Sequence, residues 1–273
     1  MLDAIVPFRE KLNAGKVCFG VGITLADPLV TDAIGDLVDY FWLDLEHSPM
    51  SPEIVAGHLL ASRSRNVPTL VRVPSNLTSF IKPVLDSGAH GIIVPQVKTV
   101  AEVKQVVADC RYPPQGQRGF GPRVPSNYGK ANNQRYVESA NQNVFTCVQI
   151  ETKEALEAID RIVAVPGLDS IVIGPMDLSG SLGLLGQTSH PQVEKAIDTI
   201  IEKARAAGRF VGIGLGADPD YAARMIKRGV QWLQVGSDYS YIIQGIQQAK
   251  DAVQERLAAT PAKTSKSSAA RKK

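Results

Sequence analysis

The sequence predicts an α/β fold, a (β/α)₈ TIM barrel, on three observations. Eight short apolar runs rich in β-branched residues recur along the chain, segments with helical spacing lie between most of them, and 273 residues, 44% of them hydrophobic, suit one large unit with a sizeable core. Strands that alternate with helices imply parallel strands joined by right-handed crossovers, and eight such units close most economically into a barrel. The near-continuous apolar runs agree, because strands of a parallel sheet are covered on both faces.

In chain order the strand candidates are "VCFGVGIT" (17–24), "YFWLDLE" (40–46), "TLVRV" (69–73), "GIIVP" (91–95), "TCVQIE" (146–151), "SIVIGP" (170–175), "FVGIGL" (210–215) and "WLQVGS" (232–237). Between them, "TVAEVKQVVADC" (99–110) sets Val100, Val103, Val106 and Val107 on one helical face. In "HPQVEKAIDTIIEKARAAG" (190–208), Pro191 suits a first helical turn and Gly208 a helix end. Residues 111–145 are a Pro/Gly-rich excursion with room for a short helix before the fifth strand, and the last helix, about 238–258, runs long for its place in a barrel. Both suit subunit contacts.

The barrel domain spans residues 1–259. The last 14 residues, "TPAKTSKSSAARKK", hold five Lys/Arg and no acid, which takes the formal net charge of +3 for the chain to −2 for residues 1–259. The body is not a polyanion binder by charge, so no nucleic-acid partner is expected. The tail has no apolar periodicity with which to offset its ordering entropy and reads as a disordered basic segment. Cys18, Cys110 and Cys147 are odd in number and have no CxxC spacing, which fits reduced thiols in a cytoplasmic protein. No signal peptide and no apolar stretch of the ~18 residues that a membrane helix needs is present, so no membrane partner is expected either.

In a barrel of this kind the functional side chains sit at the C-terminal ends of the strands. The second strand ends in Asp44, Glu46 and His47, the third carries Arg72, the fifth ends at Gln149 and Glu151, and the sixth runs into Gly174, Pro175, Met176 and Asp177. The helix after the third strand closes at Asp86. A single acid after a strand often does no more than cap the next helix. Six ionisable groups on strand ends are harder to explain that way, since burying an unpaired charge costs several kcal/mol. Glu151 and Asp177 are hard oxygen donors without a nearby Cys or second His, a set that suits Mg²⁺ or Mn²⁺ with waters and a chelating ligand. Schiff-base barrel aldolases need a lysine projecting into the barrel, and none of the eight strand segments contains one. The Gly-rich "GIGLGAD" (212–218) fits either tight packing or backbone binding of a carboxylate.

Taken in order, "LDLEHSP", "VRVP", "LDSGAHGIIVPQVKTVAEV", "RYPPQGQRGFG", "VQIET" and "IGPMDLSGSLG" resemble the metal-dependent class II pyruvate aldolases of the HpcH/HpaI aldolase/citrate lyase family, over about residues 5–255. The resemblance implies a barrel of the phosphoenolpyruvate/pyruvate type with a long C-terminal helix for subunit exchange. It implies a divalent cation (Mg²⁺, Mn²⁺ or Co²⁺) on Glu151 and Asp177, and His47 as general base. Arg72 would stabilise an enolate oxyanion, Asp86 would raise the basicity of the histidine, and Asp44 would orient His47 or a water. Gln149 would bind substrate, with the backbone of Gly174, Pro175 and Met176 holding its carboxylate. The implied assembly is a homo-hexamer, a trimer of dimers. The implied reaction is reversible cleavage of a 4-hydroxy-2-oxo acid to pyruvate and an aldehyde, through a metal-stabilised enolate. Oxaloacetate decarboxylation, cleavage of a citryl- or malyl-CoA type substrate, and a catalytically inactive binding barrel are the alternatives. No basic patch in the barrel half suits the CoA phosphates.

Overall fold

The structure, a computed structural model, describes residues 2–259; the basic tail lies outside the described residues. Eight parallel strands pair in sequence order and close on one another. They are β1 (Cys18–Ile23), β2 (Tyr40–Asp44), β3 (Thr69–Arg72), β4 (Gly91–Val94), β5 (Phe145–Ile150), β6 (Ser170–Ile173), β7 (Phe210–Leu215) and β8 (Trp232–Ser237). All eight coincide with the expected runs, most of them a residue or two shorter at an end.

The helices follow from local signals. α1 (Ile5–Asn13) precedes the barrel, α2 (Pro28–Ala33) and a short 3-10 turn follow β1, and α3 (Pro52–Ser64) follows β2. α4 (Thr78–Asp86) and α5 (Val100–Cys110) come next, and α5 starts on a capping box in which Thr99 and Glu102 satisfy each other's backbone N–H groups. The 111–145 excursion contains the expected helix, α6 (Asn133–Asn143), and β5 leads into α7 (Lys153–Glu157) and α8 (Ile159–Val163). α9 (Pro175–Ser181) and α10 (Pro191–Ala206) flank the loop after β6; Pro191 stands at the first position of α10 and Gly208 has φ +72° just past its end. α11 (Pro219–Lys227) and α12 (Asp238–Ala259) complete the chain.

Period-two alternation divides each strand between the helix-facing core and the barrel interior. Phe41 and Leu43 pack outward, while Tyr40, Trp42, Leu70, Ile93, Phe145, Cys147, Val172 and Trp232 fill the interior. Ile5, Phe8 and Leu12 of α1 seal the bottom of that interior, with the Phe8 ring 5.3 Å from Tyr40 and 5.5 Å from Phe145. Each fully buried phenylalanine of this cluster contributes roughly 1.5–3 kcal/mol by leaving water. Gly212 is glycine because a side chain there would overlap the Trp232 indole. Packing therefore accounts for this part of the Gly-rich run.

The same alternation carried upward places Asp44, Arg72, Gln149 and Glu151 next in the interior series, at the C-terminal mouth. Asp44 and Arg72 are register neighbours across β2 and β3.

α12 is 22 residues long and buries only Asp238, whose carboxylate accepts from Thr24 N–H (2.9 Å) and Leu25 N–H (2.8 Å) and so ties the start of the helix to the end of β1. Beyond that anchor Ile242, Ile243, Ile246, Val253 and Leu257 are exposed. Among the described residues no helix is long and apolar enough to cross a membrane.

Candidate active site

A cavity of about 890 Å³ opens at the C-terminal mouth, lined by Trp42, His47, Arg72, Gln149, the Gly174–Asp177 turn and the ends of β7 and β8. Its floor is an ion-pair lattice on β2 and β3. Arg72 donates from Nε to Asp44 Oδ1 (2.9 Å) and from Nη2 to Asp44 Oδ2 (2.6 Å), and its Nη1 lies 2.9 Å from Glu46 Oε2. The guanidinium also sits over the Trp42 ring, 5.4 Å from the centroid. Burial works against the Arg72 charge, but the hydrogen bond to Asp44 and the charges of Asp44, Glu46 and Glu151 outweigh it and raise its pKa further. A bidentate pair of this kind fixes both position and protonation.

Asp44 has a second task. Its Oδ1 accepts from the backbone N–H groups of Glu46 (3.0 Å) and His47 (3.4 Å), which ends β2 at Asp44 and turns the chain across the mouth. Glu46 and His47 thus lie in the turn rather than on the strand. The imidazole is well exposed and its Nε2 stands 3.7 Å from Glu46 Oε2. Glu46 therefore lies between Arg72 and His47, a bridge absent from the expected site. Burial raises its pKa, Arg72 lowers it, and Asp44 and Asp177 raise it again, for a net rise.

Across the mouth, Glu151 is buried and both of its oxygens are held: Oε1 accepts from Gln96 N–H (2.8 Å) and Oε2 accepts from Gln149 Nε2. Gln96 makes its bond from a left-handed conformation, φ +56°, which costs a non-glycine residue about 1–3 kcal/mol. Burial pushes the Glu151 carboxyl up to about 7, against the hydrogen bonds from Gln96 and Gln149 and with help from Asp177 and Glu46. Gln149 Oε1 is buried and has no hydrogen-bond partner. Asp177 stands in the first turn of α9, where Pro175 occupies the first position and the next two N–H groups, of Met176 and Asp177, precede the first helical bond, from Leu178 N–H to Gly174 O at 2.9 Å. A side chain at Gly174 would overlap Glu151 Oε2 and lie 2.7 Å from Gln149 Nε2, so only glycine leaves this pair in place.

Among the described residues no three His, Cys, Asp or Glu side chains gather into a ready-made metal cage. Glu151 and Asp177 nonetheless fit a hard divalent cation that keeps waters or a ligand: the donors are carboxylates, Asp177 and Glu46 add to the burial that raises the Glu151 pKa, and the Gln149 side chain that donates to Glu151 carries an orphaned acceptor, Oε1.

Of the expected residues, Asp44, His47, Arg72, Gln149, Glu151 and Gly174–Asp177 come together at the mouth. Asp86 does not join them within this chain. It ends α4 in an ion pair with Lys82 and with Arg118, whose Nη2 lies 2.8 Å away. Gln234, Tyr221 and Arg224, which line the same cavity, were not expected.

Residues 24–245 match the family model described as HpcH/HpaI aldolase/citrate lyase. The chain is 34% identical over 239 residues to the hydroxypyruvate/pyruvate aldolase of Roseobacter denitrificans, covering 86% of this chain and 92% of that one. It is 36% identical over 247 residues to the 5-keto-4-deoxy-D-glucarate aldolase of Escherichia coli, covering 89% and 95%. Among solved structures, an HpcH/HpaI aldolase from Desulfitobacterium hafniense superposes with a TM-score of 0.83 at 29% identity, covering 93% of this chain and 97% of that one.

Proposed function

Because the chain belongs to the HpcH/HpaI aldolase/citrate lyase family, we propose that it is a divalent-metal-dependent aldolase that reversibly cleaves 4-hydroxy-2-oxo acids to pyruvate and an aldehyde. The observation that carries this reading is the division of the cavity mouth. A fixed guanidinium and an exposed imidazole stand at the ends of β3 and β2, and two carboxylates with an unsatisfied amide stand at and just past the ends of β5 and β6.

Each group then has a task. Glu151 and Asp177 would hold Mg²⁺, Mn²⁺ or Co²⁺, which supplies Lewis acidity at the substrate's 2-oxo group. Arg72, kept in place by Asp44 and Glu46, donates to the 2-oxo oxygen and stabilises the negative charge that grows there as the C3–C4 bond breaks. His47 takes the C4 hydroxyl proton, directly or through a water, and in the synthetic direction removes a methyl proton from pyruvate. Asp44 sets the turn that presents His47, Gln149 binds the substrate, and the N–H groups after Pro175 suit the pyruvate carboxylate. Asp86, tied to Lys82 and Arg118, takes no part within one chain.

The exposed apolar residues of α12 suit a homo-oligomer, the hexamer of the family resemblance being our choice. The test of the reaction is release of pyruvate from 4-hydroxy-2-oxo acids with Mg²⁺ or Mn²⁺ and with EDTA. Pyruvate released only with metal supports the assignment; equal release with EDTA overturns it.

A further inference from the structure

β8 stands two strands from β6 and two from β2 around the barrel, away from both groups of residues assigned above. The cavity lining it supplies is uncharged: Gln234, Gly236 and Ser237. Period-two alternation turns Gln234 inward, next above Trp232, and its register neighbours are glycines on both sides, Gly20 on β1 and Gly214 on β7. The glycines around it differ in what they leave room for. The space beside Gly20 is filled by the Tyr40 ring, so packing explains that position. A Cβ at Gly22 would lie 2.8 Å from Gln234 Nε2 and 2.8 Å from Ser237 Oγ, so Gly22 makes room for the amide. A Cβ at Gly214 would meet only Gln234 Oε1, at 3.3 Å, and Trp42 Cη2, at 3.7 Å. Packing does not demand glycine there, but a methyl group would cover Oε1.

The amide is fixed in one sense. Gln234 Nε2 donates to Gly236 O, and since a carbonyl accepts only from the NH₂ end, Oε1 is the atom left beside Gly214. Among the described residues nothing donates to Oε1, and the Ser237 hydroxyl has no partner either, while the Ser237 backbone N–H and C=O are taken by Ser240. An amide oxygen repels a carboxylate and accepts from a hydroxyl, and the Ser237 hydroxyl can donate or accept in turn. The Trp42 ring that borders Gly214 also lies under the Arg72 guanidinium, 5.4 Å from the ring centroid. A substrate with its 2-oxo oxygen at Arg72 therefore crosses one indole to reach Gln234.

We propose that Gln234, left uncovered by Gly214 and flanked by Ser237, accepts a hydrogen bond from a hydroxyl on the aldehyde half of the substrate, so that the acceptor in the synthetic direction is a hydroxyaldehyde. This assignment rests on the aldolase reading above, in which the pyruvate half is taken by Glu151, Asp177 and the turn after Pro175, leaving the aldehyde half for β8. The hydroxyl itself is unchanged as the C3–C4 bond breaks or forms. Gln234 is thus a specificity residue rather than a catalytic one. Its contact is alike in ground and transition state, so its loss acts on KM more than on kcat.

The experiment adds pyruvate to glycolaldehyde or to propanal, aldehydes of equal size, with the metal-loaded full chain. The ratio of the two kcat/KM values is compared between enzymes, which cancels the different intrinsic reactivities of the aldehydes. Gln234→Leu should lower the ratio by ~3–10-fold, the size of one neutral hydrogen bond, through KM for glycolaldehyde. Gly214→Ala keeps the amide but covers Oε1, and it should lower the ratio as well; the double variant should lose no more than Gln234→Leu alone. A ratio within about 2-fold of wild type in a folded Gln234→Leu overturns the site. If circular dichroism shows that variant unfolded, an unchanged ratio in Gly214→Ala overturns it instead. Exchange of pyruvate methyl protons without aldehyde separates the two levels. If wild type exchanges while all variants keep its ratio, Gln234 is wrong and the aldolase reading stands. If wild type does not exchange, the aldolase reading falls and takes the hydroxyl site with it.

Discussion

Arg72 Nη1 stands 2.9 Å from Glu46 Oε2 while its Nε and Nη2 hold both oxygens of Asp44, so one guanidinium is paired with two carboxylates, one at the end of the neighbouring strand and one in the turn that follows it. The arrangement sets the direction in which Arg72 can donate without movement during the reaction. Arg72→Lys keeps the charge but loses the fork, and it should lower kcat by ~100-fold or more, the cost of removing an oxyanion donor, with an unchanged melting profile. Steady-state kinetics beside circular dichroism decide it; retention of full kcat would remove Arg72 from the chemistry.

Glu46 touches both sides of the same machinery, Arg72 at 2.9 Å and His47 at 3.7 Å. Glu46→Gln leaves the Asp44 pair intact and removes one charge between the two. We expect kcat to fall by about 10-fold, less than the ~100-fold or more of a group that itself transfers the proton because Glu46 acts through its neighbours, and the pH profile of kcat to move. A variant with the wild-type pH profile would show Glu46 to be a bystander.

Gly174 is placed against Glu151 and Gln149 so closely that a methyl group cannot be added. Gly174→Ala should therefore weaken Mg²⁺ or Mn²⁺ binding by ~10-fold or more, as displaced supporting groups do at metal sites, while the fold is kept. The shift of the thermal midpoint on adding metal reads this without any turnover.

Away from the mouth, His90 is fully buried below the barrel and accepts from Thr69 N–H at 3.2 Å through Nδ1. Burial lowers its pKa from 6.5 to about 4. A histidine depressed in the folded state contributes stability that is present above its unfolded pKa and is lost as pH falls, so the window runs from about 6.5 down to about 4. The shift corresponds to a loss on the order of 3 kcal/mol across that window. His90→Gln should flatten the decline between pH 6.5 and 4 in urea unfolding; parallel curves would contradict the assignment.

The exposed Ile243 and Ile246 on α12 make the assembly testable. Changing both to Glu should convert a homo-oligomer to smaller species in light scattering, because an apolar interface does not accommodate unpaired charge. A monomeric wild type would remove the assembly from the account.

Much of this was legible in the sequence because period-two strands carry their own geometry. Asp44, Arg72, Gln149 and Glu151 continue the interior positions of apolar runs, so they had to emerge at the mouth. Gly174, Pro175 and Asp177 carried helix-start signals at a strand end. The Glu46 bridge was hidden because it depends on the turn made when Asp44 takes the N–H groups of Glu46 and His47, and no spacing rule reports that bond. Arg224 and Tyr221 were hidden for another reason. They belong to α11, whose charged residues look like an ordinary solvated face until the barrel closes and brings that helix to the cavity. Asp86 looked like a site acid from the resemblance, while its local partner was readable as Lys82, four residues earlier on α4.

The most direct test of the central claim is exchange of pyruvate methyl protons in D₂O, followed by proton NMR with wild type and Glu151→Gln, each with Mg²⁺ or Mn²⁺ and with EDTA. Wild type should exchange only with metal, and neither Glu151→Gln nor the EDTA-treated enzyme should exchange above background. Full exchange in Glu151→Gln, or exchange indifferent to EDTA, would contradict it.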